Sequence, residues 1–224
     1  MHELELSSVC NLACVYCPHP TLQRVKAHME WETFKHALKH IDHYVRAGTQ
    51  GEVALTGIGE AILHPHFHEA ASLVRQCIGP TRPLTMATNG VALTREHAVT
   101  CRKFGVLVYV SLHRPEVAGP AINLLHEERV TMGVNHAFVN SAMDWAGQVP
   151  WHTSAIKRNC AYLQQGWAVI RQDGHVDQCC QDAHSLHSLG HVDDAPGTWR
   201  AAPTPLCAQC HLRVPDGFRT EEAA

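Results

Sequence analysis

The sequence predicts an α/β fold: a parallel sheet covered by helices, then a small loop-rich unit. Three observations carry the prediction. Strand and helix patterns alternate from residue 3 to about residue 140. The alternation stops after Asn140, where the chain turns irregular and then offers a single β-hairpin. The cysteines gather towards the two ends of the chain, so the stretch between them reads as scaffold. Strands alternating with helices imply βαβ units with right-handed crossovers.

Each element has its own signal. Glu3–Leu6 reads as the first strand and ends just before a cysteine-bearing loop. Trp31, Phe34, Leu38, Ile41 and Val45 recur at helical spacing up to about Arg46, and Gly48 stops that helix. Glu52–Leu55 is a short strand closed by Thr56-Gly57. Phe67, Ala70, Val74 and Cys77 form a second helical face, ended by Gly79-Pro80. Leu84–Ala87 is a strand, and Asn89-Gly90 turns the chain after it. Thr94 is placed to cap a helix that carries Glu96 in its first turn and runs to Phe104-Gly105. Val106–Leu112, V-L-V-Y-V-S-L, is the clearest buried strand. Glu116–Arg129 reads as a helix whose first turn Gly119-Pro120 makes irregular, and Met132–Val139 as a further strand. About five βα units fit before residue 140.

Beyond that point Trp145–Trp151 is irregular. Trp167–Arg171 and His175–Cys179 flank Asp173-Gly174, a strong hairpin signal. The boundary is placed near residue 145, dividing residues 1–145 from 146–224. The second unit has little apolar surface of its own, and such units usually need a metal staple.

Composition narrows the function classes. The chain has 224 residues, with 18 Lys+Arg against 21 Asp+Glu, so no broad basic face for a phosphate-rich polymer is expected. A hydrophobic content of 45% is that of a packed globule and not of a disordered chain. There is no apolar run of about eighteen residues for a membrane span, and Met-His-Glu-Leu-Glu-Leu lacks the features of a signal peptide. A cytoplasmic location is therefore expected, and with it few disulfides. Against that background 10 Cys and 19 His stand out. Free thiols in such number ask for metal, redox chemistry or catalysis.

Cys10-Asn-Leu-Ala-Cys14-Val-Tyr-Cys17 is a C-x3-C-x2-C group on one tight loop. Three thiolates can hold three corners of a [4Fe-4S] cluster and leave one iron open to a ligand with an amine and a carboxylate. A zinc site with a distant fourth ligand is the alternative. The loop leaves the end of the first strand, where α/β sheets and barrels carry their chemistry.

With its triplet and the aromatic Tyr16 before the last cysteine, the sequence resembles the radical S-adenosylmethionine (radical SAM) superfamily. Thr56-Gly57-Ile58-Gly59-Glu60 looks like that family's Gly-Gly-Glu region, with backbone carbonyls and Glu60 offered to the SAM ammonium group. Ser111 matches a polar residue that often contacts the SAM carboxylate, and Asn89 is placed to line the same pocket. His113 departs from the family, where relatives often have Asp. The resemblance implies a partial TIM-like (β/α)6 barrel. It also implies reductive cleavage of SAM by the Cys10/Cys14/Cys17 cluster to a 5′-deoxyadenosyl radical that removes a hydrogen atom from substrate.

The last third supplies Cys160, Gly174-x4-Cys179 and Cys207-x2-Cys210. Four thiolates fully ligate a cluster and suit it to electron transfer or structure. This resembles the twitch domain, a shortened SPASM domain, and implies one auxiliary [4Fe-4S] cluster, making two clusters in all. Structural zinc on the same four cysteines is an alternative. Cys207-Ala-Gln-Cys210-His211 also matches the c-type haem motif, whose chemistry normally takes place after export. Cys180 competes with Cys179 as ligand; neighbours in an extended chain point to opposite faces, and Gly-x4-Cys favours Cys179. The resemblance gives Cys180 another role, that of the hydrogen donor found in radical SAM epimerases.

The remaining signals are weaker. Cys77 and Cys101 read as buried, inert thiols. His36, His40 and His43 read as a surface face of the first helix, and His64-Pro-His66-Phe-His68 as a solvated helix start. His113 and His136 are placed near strand ends as acid–base candidates. The function expected is net oxidation or cross-linking of a ribosomal peptide. The alternatives are a dehydrogenase or epimerase of a small molecule such as an aminoglycoside or sugar, and a non-enzymatic iron–sulfur electron carrier. The first strand begins almost at Met1, so no N-terminal leader-binding domain is expected, and a separate leader-binding protein takes its place if the substrate is a peptide. A flavodoxin or ferredoxin is the expected reducing partner; a membrane partner is not expected, and nucleic acid is disfavoured by the charge balance.

Overall fold

The structure is a computed structural model and describes residues 3–112, 114–135, 145–149, 159–210 and 212. His113 and His136, the last part of the Met132–Val139 strand and His211 lie outside the described residues.

Five parallel strands come in sequence: β1 (Glu3–Leu4), β2 (Val53–Ala54), β3 (Leu84–Thr88), β4 (Val106–Ser111) and β5 (Met132–Asn135). Helices α1 (Trp31–Arg46), α2 (Phe67–Ile78), α3 (Arg95–Lys103) and α4 (Pro115–Glu127) connect them in the expected alternation. β1 and β2 are shorter than the sequence patterns because their ladders continue as single bonds. Glu5 N–H donates to Ile170 O at 2.9 Å and Leu55 N–H to Thr85 O at 2.8 Å. α3 starts as predicted: the Thr94 hydroxyl accepts from the N–H of His97 at 3.3 Å. Pro120 is carried inside α4, where its missing N–H leaves the Glu116 carbonyl without its helical partner.

The sheet continues past β1. A short helix α5 (Ala161–Gln165) leads to β6 (Val169–Ile170), β7 (His175–Asp177) and β8 (Ser188–His191). Strand order among the described residues is β5-β4-β3-β2-β1-β6-β7-β8. β6 runs parallel to β1, pairing Glu3 with Val169 and Leu4 with Ile170, whereas β6–β7 and β7–β8 are antiparallel. The sixth parallel strand joins the sheet beside β1 and not beside β5. It is the first arm of the predicted hairpin, laid on the free edge of β1. β8 has no signal in the sequence, since Ser-Leu-Gly-His is too short and polar to read as a strand.

One apolar core lies between the sheet and helices, built on Leu4, Leu6, Phe34, Ile41, Phe67, Val74, Leu84, Val108 and Val110. Each large side chain so buried contributes about 1.5–3 kcal/mol. Leu4 and Leu6 face this core, which sends the alternate residues Glu3 and Glu5 to the opposite, inner face of the sheet. The helical histidines correct one expectation. His40 is 1% exposed, stacks on Trp199 with ring centres 4.0 Å apart and lies 3.0 Å from Val192 O through Nε2. His43 is exposed, and His36 pairs with Asp193 at 2.7 Å. His64 is likewise buried rather than solvated, with Nε2 2.9 Å from Met29 O. The imidazole is small and polar enough to close a core edge when one backbone carbonyl is in reach. Cys101 is fully buried, and burial pushes its thiol up to about 12. Among the described residues no helix is long and apolar enough to cross a membrane.

Candidate active site

The C-terminal ends of β1 to β4 open on one cavity of about 320 Å³. Each strand contributes residues from its own end or from the loop that leaves it. After β1 comes the loop of Cys10, Cys14, Tyr16 and Cys17; after β2 come Gly57, Gly59 and Glu60; after β3, Asn89; and at the end of β4, Ser111. The structure thus brings together every residue the sequence assigned to the first cluster and to SAM.

The three thiols border this space from a compact turn closed by Cys17 N–H donating to Cys14 O at 3.0 Å. Among the described residues no three such side chains are gathered as around a single metal ion. Burial pushes the Cys17 thiol up to about 11 and the Cys10 thiol also upward. A metal bound by these thiols must displace their protons.

The two glycines are required by close approach. A Cβ on Gly59 would lie 2.4 Å from Ser7 O and 2.6 Å from Val9 O, and one on Gly57 would lie 2.3 Å from Glu5 Cγ. Their absence lets the strand exit run flush against the cysteine loop, where Glu60 N–H donates to Val9 O at 2.8 Å. Glu60 is 3% exposed. Its Oε2 accepts from the N–H of Asn89 at 2.9 Å, whereas its buried Oε1 has no hydrogen-bond partner. Burial pushes the carboxyl up to about 7, against the pull of Asn89. A buried acceptor left unmade beside three thiols fits a ligand that brings an ammonium group. Asn89 itself is partly committed to its turn: Oδ1 accepts from Val91 N–H at 2.9 Å, and Nδ2 donates to Asn11 Oδ1 at 2.8 Å.

The same cavity is lined by residues that the sequence reading missed, among them Glu3, Trp145 and Arg171. A signal existed for the first. Glu-Leu-Glu-Leu alternates with period two, so with the leucines in the core both carboxylates must face inward and find partners. Glu5, fully buried, receives Arg24 on both oxygens at 2.7 Å and Ile58 N–H at 2.8 Å. Arg171, also fully buried, donates through Nε to Asp177 at 2.5 Å and through Nη2 to Asp182 O at 2.6 Å. Burial works against its charge, but Asp177, Glu5 and Glu3 outweigh that and hold its pKa above the usual arginine value. Trp145 reaches the site through two consecutive non-glycine residues in left-handed backbone, φ 52° and 54°, and donates from Nε1 to Tyr16 O at 3.1 Å. Such conformations cost about 1 kcal/mol or more and collect at functional sites.

A second, smaller cavity is bordered by Cys160, Cys179, Cys207 and Cys210. These are the four cysteines assigned to an auxiliary cluster. Cys180 does not border it; it lines the large cavity instead. Tyr162 borders the small cavity, and its hydroxyl lies 2.8 Å from Cys180 Sγ. Burial pushes the Cys179 thiol up to about 12 and the Cys180 thiol well above its ordinary value.

Comparison with known proteins agrees with this geometry. A curated relative is the tungsten-containing aldehyde ferredoxin oxidoreductase cofactor-modifying protein of Pyrococcus furiosus, 28% identical over 154 residues, or 68% of this chain and 41% of the relative. Another is a serine-type anaerobic sulfatase-maturating enzyme of Bacteroides thetaiotaomicron, 32% identical over 121 residues, or 50% of this chain and 28% of the relative. The chain thus spans less than half the length of either. Among solved structures, BtrN in complex with AdoMet and 2-DOIA superposes with a TM-score of 0.68 at 21% identity, covering 86% of this chain and 78% of that one. Native anSMEcpe with bound AdoMet gives 0.65 at 17% identity, over 87% and 78%. At those identities the likeness is one of fold, a partial barrel with its parallel sheet. The Radical SAM superfamily model matches residues 4–127, more than half the chain, and this chain belongs to that superfamily.

Proposed function

We propose that the chain is an enzyme that binds a [4Fe-4S] cluster on Cys10, Cys14 and Cys17 and cleaves SAM reductively, for net oxidation or cross-linking of a peptide. The observation that carries the reading is the orphaned Oε1 of buried Glu60 in the cavity bordered by those three thiols. When bound, cluster and SAM supply a 5′-deoxyadenosyl radical able to take hydrogen from an unactivated carbon. The chain's own residues do the rest. Gly57 and Gly59 let the backbone approach; Glu60 takes the ammonium group; Ser111 and Asn89 orient polar ends; Trp145 helps to shut out water. A cavity of about 320 Å³ is at the low end for one drug-sized ligand, and a side chain presented from a larger molecule needs less of it than a whole free substrate does. That favours a side chain presented from a larger molecule. The sulfatase-maturating relative and an anSMEcpe complex described with a bound Cp18Cys peptide point the same way.

Residues from 146 onward are proposed to form a twitch unit holding a second [4Fe-4S] cluster on Cys160, Cys179, Cys207 and Cys210. Their shared cavity supports this, and the cluster would accept the substrate's electron. A reducing partner such as flavodoxin or ferredoxin, a separate leader-binding protein and a cytoplasmic location belong to the same proposal. A second reading is action on a small molecule: epimerisation is favoured by Cys180, which lines the large cavity as a hydrogen donor must, whereas dehydrogenation needs no such donor. BtrN with 2-DOIA is the corresponding neighbour.

Anaerobically reconstituted protein is expected to carry about eight irons and, once reduced, to form 5′-deoxyadenosine from SAM. Cys14→Ala should abolish that product. Iron-loaded, reduced wild type that never forms it would establish an electron carrier instead.

A further inference from the structure

Three groups lining the large cavity have no part in holding the cluster or SAM: Glu3, Arg171 and Cys180. They lie close together. Glu3 and Cys180 border the same part of the cavity, and Arg171 is the strongest charge acting on Glu3. Arg171 is fully buried. Nε is spent on Asp177, and Nη2 on the carbonyls of Asp182 and Cys179 at 2.6 and 3.3 Å. Nη1 has no hydrogen-bond partner. The carboxylate oxygen of Glu5 paired with it is 4.0 Å away and already receives Arg24 and Ile58 N–H. A guanidinium donor buried and left unmade is costly, and Arg171 is among the residues that line a space a ligand can enter.

The charges around it decide what kind of acceptor fits. Arg24 and Arg171 are matched by Glu5 and Asp177. Asp182 adds a further carboxyl, which caps its own turn by accepting from Leu186 and His187 N–H at 2.9 and 2.8 Å. Burial pushes Glu3 up to about 7, so at neutral pH much of it carries a proton. Among the described residues around it no positive charge is left over to hold a carboxylate or phosphate. One directed N–H is left over.

We propose that Arg171 Nη1, flanked by Glu3 and Cys180, is a substrate-recognition subsite for a neutral oxygen, an amide carbonyl or a hydroxyl, on the substrate of the proposed radical reaction. It rests on that reading only in requiring that substrate shares the SAM cavity. The neutral acceptor satisfies the orphaned donor without adding an unpaired charge, and the Glu3–Cys180 pair offers a second hydrogen bond beside it.

The test uses reconstituted holoenzyme with SAM, kept anaerobic, and ligand-observed NMR. Four probes are compared: N-acetylalaninamide, methyl glucoside, and their anionic counterparts N-acetylalaninate and glucuronate. A neutral probe is expected to bind more tightly than its anionic counterpart, and which one binds separates a peptide carbonyl from a sugar hydroxyl. Arg171→Lys, which keeps the charge and loses the planar fork, should weaken that probe by about tenfold or more. Its effect on SAM affinity should stay under about twofold. Cys180→Phe, which fills the subsite and replaces no member of the Arg171–Asp177 and Arg24–Glu5 pairs, should weaken the same probe by about tenfold and keeps the test alive if Arg171→Lys does not fold. Tighter binding of the anions, no binding of either neutral probe to wild type, or unchanged binding in both variants would overturn the subsite. If wild type holds no SAM, the enzymatic reading fails first, and the subsite falls with it.

Discussion

Glu60 shows how much a single side chain can be asked to do. Its carboxyl is buried, and burial pushes it up to about 7 against the pull of its hydrogen bonds. In the unfolded chain it titrates near 4.5. A carboxyl raised on folding contributes stability below its unfolded value and loses it as pH rises through the folded one. Protein free of SAM should therefore lose thermal stability between pH 4.5 and about 7, and Glu60→Gln should remove part of that slope in calorimetry. Binding has the opposite sign. SAM affinity should rise as pH climbs through about 7, because only the carboxylate attracts the ammonium group. Glu60→Gln should flatten this rise and weaken SAM by about tenfold or more in equilibrium binding. Glu60 was legible in the sequence through its place in Gly-Ile-Gly-Glu. Arg171 was not, because an arginine in a predicted strand carries no local mark of being buried; its partner Asp177 is set by the hairpin and Glu5 by a strand far off in sequence.

At the level of elements, the βα alternation could be read because helical and strand periodicities differ and because Thr94, Gly48 and Gly79 punctuate them. The failures were those of length and context. β8 was too short to see, and β6 was seen as a hairpin arm but not as a partner of β1, since sequence periodicity says nothing of which edge a strand joins. His40 was misplaced because its neighbour Trp199 comes from the last quarter of the chain. The four late cysteines come from separate elements: Cys160 caps α5, Cys179 comes after β7, and Cys207 and Cys210 sit in and after a short 3-10 turn at Pro205–Ala208. No one element holds the set. Cys160→Ala is expected to lose about four irons while the spectrum of the first cluster persists. Undiminished iron content would show that these cysteines do not form one site.

For the whole molecule, the polar interior ties the chain's two ends together. Arg24, just after the cysteine loop, joins Glu5 of the first strand's exit to Ala183 O beyond the hairpin at 2.9 Å. Gln23 N–H reaches His184 Nδ1 at 3.3 Å, and Gln172 Nε2 donates to Val25 O at 2.9 Å. The Arg24 and Glu5 side chains are 6% and 0% exposed, so the pair is unscreened by solvent. Arg24→Ala strips a buried carboxylate of its close cation and leaves it only Arg171 at 4.0 Å, at a cost of about 3–5 kcal/mol, which in a chain of this size lowers Tm by about 10 °C. Arg24→Ala with Glu5→Gln should recover a good part of that loss in calorimetry, as expected of a directly coupled pair.

The division of labour between Cys179 and Cys180 has an evolutionary side. Two adjacent residues border two different cavities, so the identity of each depends on its phase along the chain. Insertion or deletion of one residue between Val176 and Cys179 would move one of the two thiols into the other's place and leave one cavity without its cysteine. Consecutive Cα atoms are about 3.8 Å apart across a trans peptide, so the spacing between the two compartments is written into the covalent chain and does not depend on how firmly the C-terminal segment docks. Length variation should therefore be purged from this stretch. It should be tolerated in the exposed turn at Gly48, where an added Cβ would meet nothing within 4 Å and a shift of frame changes nothing that faces inward.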